Sequence, residues 1–448
     1  MKFAEKTTSL DFGYKIDTLL LAVLFSAAGA LFFYWFPVHK LFLLFFVLAA
    51  FILVIYSPYY GLLLTLFVEF SGIVWGFKIP MGFFAVVLLT ALSWFFHRIV
   101  TFRWHIFWDS LYVWIIAFLA IVLISSFAAM DKIQSLSILF LYFKIGLYYF
   151  LITQILDSAQ RVKGAVIMII FATLFSVIVG LIGMFAPLPF LGSSMQTWRF
   201  RGLTSDPNIL GIHLLIIIPF IFLSFFSTQT KFKRSLIALL FLFSILGLVA
   251  TFSRSSTIGL AVILAYLFYL KRREKTIILL VTLIFFLAIY FVPADFWQRI
   301  LSVGNIQQDP SLRWRAELYR GAWQFFIHHP ILGIGAGNFV LQSHVFVAQH
   351  LAVHNTLLEV ATETGILGFL LFVLIISIVV ARLIEAKKIF EKRGNSPFSL
   401  YTKSFLVGLL GIFIVSFFYS IEEYFVVWTI FAMGSVLYFQ AKKSDEMQ

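Results

Sequence analysis

Apolar runs of roughly 16 to 23 residues, each closed by a charge, a proline or a glycine, recur fourteen times in this 448-residue chain. About 20 apolar residues is the length of helix that crosses the ~30 Å hydrocarbon layer of a bilayer. Lipid offers no partner to backbone N–H and C=O groups, so such runs have to be helical. They begin near Asp17, Lys40, Tyr59, Pro80, Asp109, Leu136, Gly164, Asn208, Ser235, Ser255, Thr276, Thr356, Ser404 and Tyr424. Two of them, 41–56 and 59–75, are short and separated only by Ser57-Pro58, which suits re-entrant or interfacial segments. The expectation is an all-α, polytopic integral membrane protein with 12–14 transmembrane helices, forming one membrane domain over 1–448. Composition excludes a water-soluble enzyme: 62% of the chain is apolar and 12% charged, against about half and a quarter in soluble domains. Cysteine is absent, which removes disulfides, thiolate nucleophiles and cysteine-ligated metal.

The net charge of +13 is informative through its placement rather than its size, and it does not point to nucleic acid. With the N-terminus in the cytoplasm, 22 of the 33 basic residues fall inside, ten fall outside and Lys144 lies within a span. The positive-inside rule favours this orientation, with both termini cytoplasmic. Ala28-Gly29-Ala30 resembles a cleavage site, but the apolar run continues through Trp35 and Phe36, so the first segment reads as a retained anchor. Lys40, Lys78 and Lys132 are scattered over outer loops, whereas Arg199, Arg201, Arg254, Arg299, Arg313, Arg315 and Arg320 gather on three. Orientation gives no reason for seven outer arginines. A planar guanidinium fork matches phosphate or carboxylate oxygens, so an anionic ligand on the outer face is the reading that accounts for them.

The long outer connection, 293–355, far exceeds a passive loop. Asp309-Pro310 followed by SLRWRAELYRGAWQFFIHH signals an amphipathic helix over about 310–329, lying at the membrane surface. Leu312, Ala316, Tyr319, Trp323 and Phe326 fall on one face, with Arg313, Glu317, Arg320 and Gln324 on the other. Arg313 and Glu317 serve equally as an i,i+4 pair or as part of a ligand-contacting stripe. The glycines of Gly333-Ile334-Gly335-Ala336-Gly337 follow a helix, which fails the context of a dinucleotide fingerprint and reads as a tight loop. The segment HNTLLEVATETGILG, 354–368, then re-enters the membrane. His354 and Asn355 head that helix, with Glu359 and Glu363 one and two turns in on a shared face. A histidine at the water–lipid boundary, beside carboxylates that could raise its basicity, is a candidate general base; the alternative is a loop histidine that caps a helix.

His344, His350 and His354 have a spacing that a zinc site could use, but no HExxH and no carboxylate third ligand accompany them, so no metal and no cofactor are expected. Two shorter outer loops carry the other arginines. TWRFRGLTSDPNILGIHL, 197–214, holds Arg199, Arg201 and an Asp206-Pro207-Asn208 turn that opens a helix, where free N–H groups favour an anion. TFSRSSTIGL, 251–260, places Arg254 among four hydroxyls in a short hairpin, where the arginine could also snorkel. Intramembrane Glu69 and Lys144 are costly singly and would be expected to pair; Glu422-Glu423 occupy another outer turn with a structural role.

The order R-G-L-T-S-D-P-N, T-F-S-R-S-S, R-x-E-x-Y-x-G-A-W…H-P-I-L-G-I-G-A-G-N-F and H-N-T-L-L-E-V-A-T-E-T-G-I-L-G resembles the O-antigen ligase / O-antigen polymerase superfamily over about 195–370. The resemblance implies a glycosyltransferase of the bacterial inner membrane, with a periplasmic active site and a role in lipopolysaccharide biosynthesis. It implies an undecaprenyl-diphosphate-linked glycan as donor, a glycan or lipid A–core as acceptor, the lipid bilayer as surroundings, and no need for a metal. Matched motif by motif, His354 would activate the acceptor hydroxyl, while Arg201 and Arg254 would hold the diphosphate, with Arg199 an alternative to Arg201. Arg313, Arg320, Asn355 and Glu359 complete the expected substrate-binding set. A direct displacement would invert the anomeric centre. A repeat-unit polymerase of the same superfamily is the alternative, and a transporter or flippase for an anionic lipid-linked substrate is a second.

Overall fold

The computed structural model describes residues 38–79, 81–102, 106–185, 195–196, 199–274 and 310–443. The spans expected near Asp17 and Thr276, and all of 293–309 with Arg299, lie outside them. The first unit, up to Tyr56, is described through one apolar helix, α1 (Val38–Tyr56). The second unit, from Ser57 onward, opens with α2 (Pro58–Ser71), which Gly72 in the left-handed region stops before the one-turn α3 (Ile73–Gly76). There follow α4 (Gly82–Val100), α5 (Leu111–Phe127), α6 (Lys132–Ile155) and α7 (Ala159–Phe185). A two-residue hairpin, β1 (Met195–Gln196) with β2 (Arg199–Phe200), precedes α8 (Pro207–Ser227), α9 (Lys231–Ala250) and α10 (Arg254–Lys271).

After the undescribed stretch come α11 (Pro310–His328), α12 (Asn338–Gln342) and α13 (His344–Val347), then α14 (Thr356–Lys392), α15 (Ser396–Ser416) and α16 (Phe425–Lys443). Among the described residues, 8 helices are long and apolar enough to cross a membrane. The protein is an all-α polytopic membrane protein. Large apolar side chains such as Phe143, Phe171 and Phe232 are more than half exposed, the arrangement expected when lipid rather than water is the solvent. The core is centred on α8, 83% of whose spanning window is buried and which packs against α9, α10 and α15.

Three helix starts at the site-bearing end have polar caps. Asp206 accepts from the Asn208 N–H at 2.7 Å ahead of Pro207. Ser253 accepts from the Ser256 N–H at 3.3 Å, and Asn355 from the Leu358 N–H at 3.1 Å. Such caps satisfy N–H groups that have no partner within the helix. At the opposite end Arg382 and Asp109 form a buried ion pair at 2.7 Å, with the Tyr149 hydroxyl donating to Asp109 at 2.6 Å.

The long helix α14 is broken at Gly365, whose φ of 67° and ψ of −170° no helix contains. The Pro330–Gly337 loop occupies the break. The Ile334 and Gly335 N–H groups donate to the Thr362 and Glu363 carbonyls at 3.0 and 2.9 Å, and the Ile366 N–H donates to the Pro330 carbonyl at 2.8 Å. Ser125 Oγ donates to the Leu332 and Glu363 carbonyls at 2.6 and 2.9 Å. These bonds settle backbone groups that the break would otherwise leave unpaired inside the protein. A Cβ on Gly365 would collide with the Ile331 carbonyl, so glycine is required by space as well as by φ.

Candidate functional site

The expected motifs meet at the N-terminal end of α8. Arg199, on β2, donates from Nη2 to Asn208 Oδ1 at 3.0 Å and from Nε to the Thr251 carbonyl at 3.0 Å. The same Asn208 oxygen accepts from Ser253 Oγ at 2.8 Å. Asn208 therefore ties the Arg199 hairpin to the turn that presents Arg254, the first residue of α10 and half-buried. Arg201 donates from Nη1 to the Ser205 carbonyl at 3.2 Å and folds the RGLTSD turn onto itself. Close approach of α8 and α10 depends on Gly211, where a Cβ would strike Ser256.

His354 reaches the same place from the other half of the chain. Its backbone is left-handed at φ 59°, an uncommon conformation for a non-glycine residue that other contacts must hold. Tyr319 of α11 shares its hydroxyl between the His354 and Phe417 carbonyls at 3.1 and 3.0 Å. The imidazole stacks on Tyr419, centroids 5.9 Å apart. Tyr419 in turn lies beside Asn208 and meets Tyr424, hydroxyl to hydroxyl, at 3.4 Å. Asn208 is thus shared between the arginine loops and the histidine.

The electrostatics around His354 correct one expectation. Neither carboxylate beside it raises its basicity: Glu359 accepts from Ser420 Oγ, and Glu363 accepts the Gly337 and Phe339 N–H groups at 2.7 and 3.1 Å. Burial, and then the nearby Arg315 guanidinium, lowers the imidazole from 6.5 to about 4, because both oppose a positive charge. The Glu363 carboxylate occupies the N–H groups that a dinucleotide phosphate would need in the glycine loop. Burial pushes Tyr424 up to about 12 and Tyr419 higher still, so both phenols stay protonated and able to donate.

Helix α11 turns differently from its expected amphipathic face. Leu318 and Ala322 are its buried residues, packed with Ile334, Phe339 and Val353, while Trp323 is exposed. Docking on the start of α14 and on the 334–353 segment sets this rotation. Arg313 and Arg320 consequently face outward, and Arg320 pairs with Glu317 at 3.0 Å, the partner expected for Arg313. Arg315, which spacing did not single out from its neighbours, is the arginine of this helix that acts on His354. The His344 and His350 rings lie 5.1 Å apart, with each Nδ1 on a backbone carbonyl, at 2.7 Å on Leu341 and 3.2 Å on Val340. Among the described residues no three His, Asp or Glu side chains could together hold a metal ion.

The turn between α15 and α16 belongs to this end. Thr356 Oγ1 donates to the Tyr419 carbonyl at 2.9 Å and accepts the Ile421 N–H at 3.0 Å, which ties the turn to the His354 helix. Glu422 is buried in it, and burial with the Glu423 charge beside it raises its carboxyl to about 8. The adjacent Glu423 and Tyr424 line a cavity of about 390 Å³ together with Glu69, Lys144 and His213. Lys144 does not pair with Glu69; its ammonium rests over the Phe84 and Phe140 rings at 5.0 and 4.6 Å. An apolar cavity of about 320 Å³ lies between α14, α15 and α16, with Thr356, Ser416 and Ile421 among its lining residues. The signal for this turn was present as Y-S-I-E-E-Y, a polar cluster between two apolar runs.

Fold and site define a multi-pass membrane protein with arginines, a half-buried imidazole and two phenols gathered at one end of its helices. Residues 239–373 match the family model described as O-antigen ligase, a stretch that contains Arg254, Arg315 and His354. Over that stretch the chain is similar to the O-antigen ligase family. No curated protein matches the chain.

Proposed function

We propose that the protein transfers a glycan from an undecaprenyl-diphosphate carrier to an acceptor hydroxyl at the outer face of the bacterial inner membrane, as an O-antigen ligase does onto lipid A–core. The observation that carries this reading is Asn208, which bonds to Arg199 and to Ser253 beside Arg254 and lies next to the Tyr419 stacked on His354. Arginines from separate loops around one point suit a diphosphate, whose leaving oxygens gain charge as the anomeric C–O bond breaks. The acceptor oxygen forms the new bond to the anomeric carbon and gives its proton to His354, while the bonding pair of the old C–O bond leaves on the diphosphate. Positioned base catalysis of this kind contributes about 10²–10⁴-fold. The apolar cavity bounded by Thr356 would take part of the isoprenoid chain, one helical turn or less from Asn355.

The test is reconstitution of the full chain with one lipid-linked donor and either lipid A–core or a second donor molecule as acceptor. Transfer to lipid A–core supports the ligase; chain extension of the donor supports the polymerase, the second reading. His354→Ala should insert normally and lower kcat by at least about 10²-fold. Wild-type turnover by that variant would remove the proposed base.

A further inference from the structure

The cavity beside the RGLTSD turn is not explained by diphosphate binding. It lies among α2, α3, α4, α6 and α8 and measures about 390 Å³, within the size range of small-ligand pockets. Its polar lining holds no guanidinium: Glu69 and Glu423 contribute carboxyl groups, and its one ammonium, Lys144, is held over two phenylalanine rings. Thr204 and Ser205 supply hydroxyl-bearing residues from the turn that carries Arg201. His213, 1% exposed, also lines the space. Its ring is tilted against that of Phe70, centroids 5.0 Å apart, and with at most one ring nitrogen on the Phe70 carbonyl, the other has no partner among the described residues. Trp75 stands at the edge of the cavity and is 62% exposed.

Carboxyls, hydroxyls, an imidazole with an open hydrogen-bonding position and an aromatic face together match a saccharide. The hydroxyls of a sugar both donate and accept, and its C–H face packs on an indole, an amphipathic contact that tryptophan provides at low entropic cost. A buried polar group without a partner is costly and calls for one. The cavity also communicates with the histidine: Tyr424 lines it, and the Tyr424 hydroxyl meets that of Tyr419, which stacks on His354.

We propose that this cavity is a saccharide subsite that seats a neutral, hydroxyl-rich sugar of the substrate, with Glu69 and Glu423 accepting from its hydroxyls and Trp75 covering its apolar face. The assignment rests on the glycan-transfer reading above and divides the site by its side chains, with diphosphate on the arginine side of the RGLTSD turn and sugar on the carboxyl side. Burial raises Glu423 to about 7, so near neutral pH it can donate to a sugar hydroxyl as well as accept from one.

The experiment uses the full chain in lipid nanodiscs, the free saccharide released by mild acid from the lipid-linked donor of the native host, and inorganic pyrophosphate. Both are titrated by calorimetry against wild type, Glu69→Gln, Trp75→Ala, His354→Ala and Arg254→Lys. The expected result is at least tenfold weaker saccharide binding by Glu69→Gln and Trp75→Ala with pyrophosphate binding unchanged, and the converse for Arg254→Lys. His354→Ala should bind the saccharide as wild type does. Steady-state transfer then separates the two sources of the sugar: a raised KM for acceptor assigns the subsite to the acceptor, a raised KM for donor to the donor's glycan. Equal saccharide affinity in wild type, Glu69→Gln and Trp75→Ala would overturn the subsite. Intact, cavity-dependent saccharide binding without any transfer would instead overturn the glycan-transfer reading and leave the subsite standing. Trp75 is surface-exposed and Gln preserves the shape of Glu69, so the two variants do not depend on one another for folding.

Discussion

His354 offers a sharp test, because its imidazole at about 4 is a weak base at neutral pH. The displacement from 6.5 is worth about 3 kcal/mol at 1.36 kcal/mol per unit. Burial is its larger cause and Arg315 its second. A diphosphate bound among the arginines would reverse the sign of the local field. One net negative charge about 7 Å away, at an effective dielectric constant of about 20, contributes about 2.4 kcal/mol, most of the displacement. The bound donor should therefore bring the imidazole back most of the way, to roughly 6 or just under, and make it a more competent base only when there is something to transfer. The assay is ¹⁵N NMR of histidine-labelled protein in nanodiscs, titrated from pH 4 to 8 with and without farnesyl diphosphate, with His354→Asn assigning the resonance. The kcat profile at saturating donor should fall as pH drops below the ordinary imidazole range, while kcat/KM for donor stays level to lower pH. Arg315→Gln should move the unliganded value upward by less than half of the displacement. An unliganded value near 6.5, or no movement on saturation with farnesyl diphosphate, would refute the reasoning.

Gly365→Ala forces a residue with a Cβ into φ 67°, ψ −170° against the Ile331 carbonyl; a loss of at least about 2 kcal/mol is expected, read as faster proteolysis within 330–350. Glu423 carries a raised carboxyl, about 7 against 4.5. The folded state binds the extra proton between those values, so stability is fully present below about 4.5 and is lost as pH rises through 7. Glu423→Gln should therefore be more stable than wild type at pH 8 by up to about 3 kcal/mol, read as a higher thermal midpoint, and show no such gain at pH 4. Equal gains at both pH values would show that the carboxyl is not held protonated.

Helix positions were legible because apolar run length is a direct image of bilayer thickness. The described helices begin within a few residues of the starts expected at Lys40, Tyr59, Pro80, Asp109, Gly164, Asn208, Ser255, Thr356 and Tyr424. Rotation about the helix axis was less legible. The periodicity of α11 did not separate Arg315 from Arg313 and Arg320, because the buried face is chosen by α14 and the 334–353 segment, distant in the chain. The partners of Glu359 and Glu363 were misread for a related reason. Their shared helical face pointed to His354, but the break at Gly365 brings the glycine loop to Glu363, and the α15–α16 turn brings Ser420 to Glu359. Asn208 and Tyr419 went unassigned as site residues because neither motif shows that it meets the other.

The glycine loop distinguishes a catalytic from a supporting carboxylate, and Glu363 is the residue that tests it. Loops ordinarily owe their mobility to backbone groups bonded to water. Here the loop's N–H groups are bonded to Thr362, Glu363 and the Glu363 carboxylate, and Asn338 donates to Ser135 Oγ at 2.9 Å. A loop fastened in this way can hold the adjoining His354 in a left-handed conformation that it would otherwise leave. Glu363→Gln keeps the shape but offers one acceptor oxygen where the carboxylate offers two. One buried N–H, of Gly337 or Phe339, then loses its partner, at a cost of about 1–3 kcal/mol. Hydrogen exchange over 333–342 should accelerate by about tenfold or more, since 1.4 kcal/mol is a factor of ten. Transfer activity should fall with it and recover on cooling as the loop reseats. A large loss of kcat with unchanged exchange in 333–342 would mean instead that Glu363 acts on substrate directly, and the fastening argument would fall.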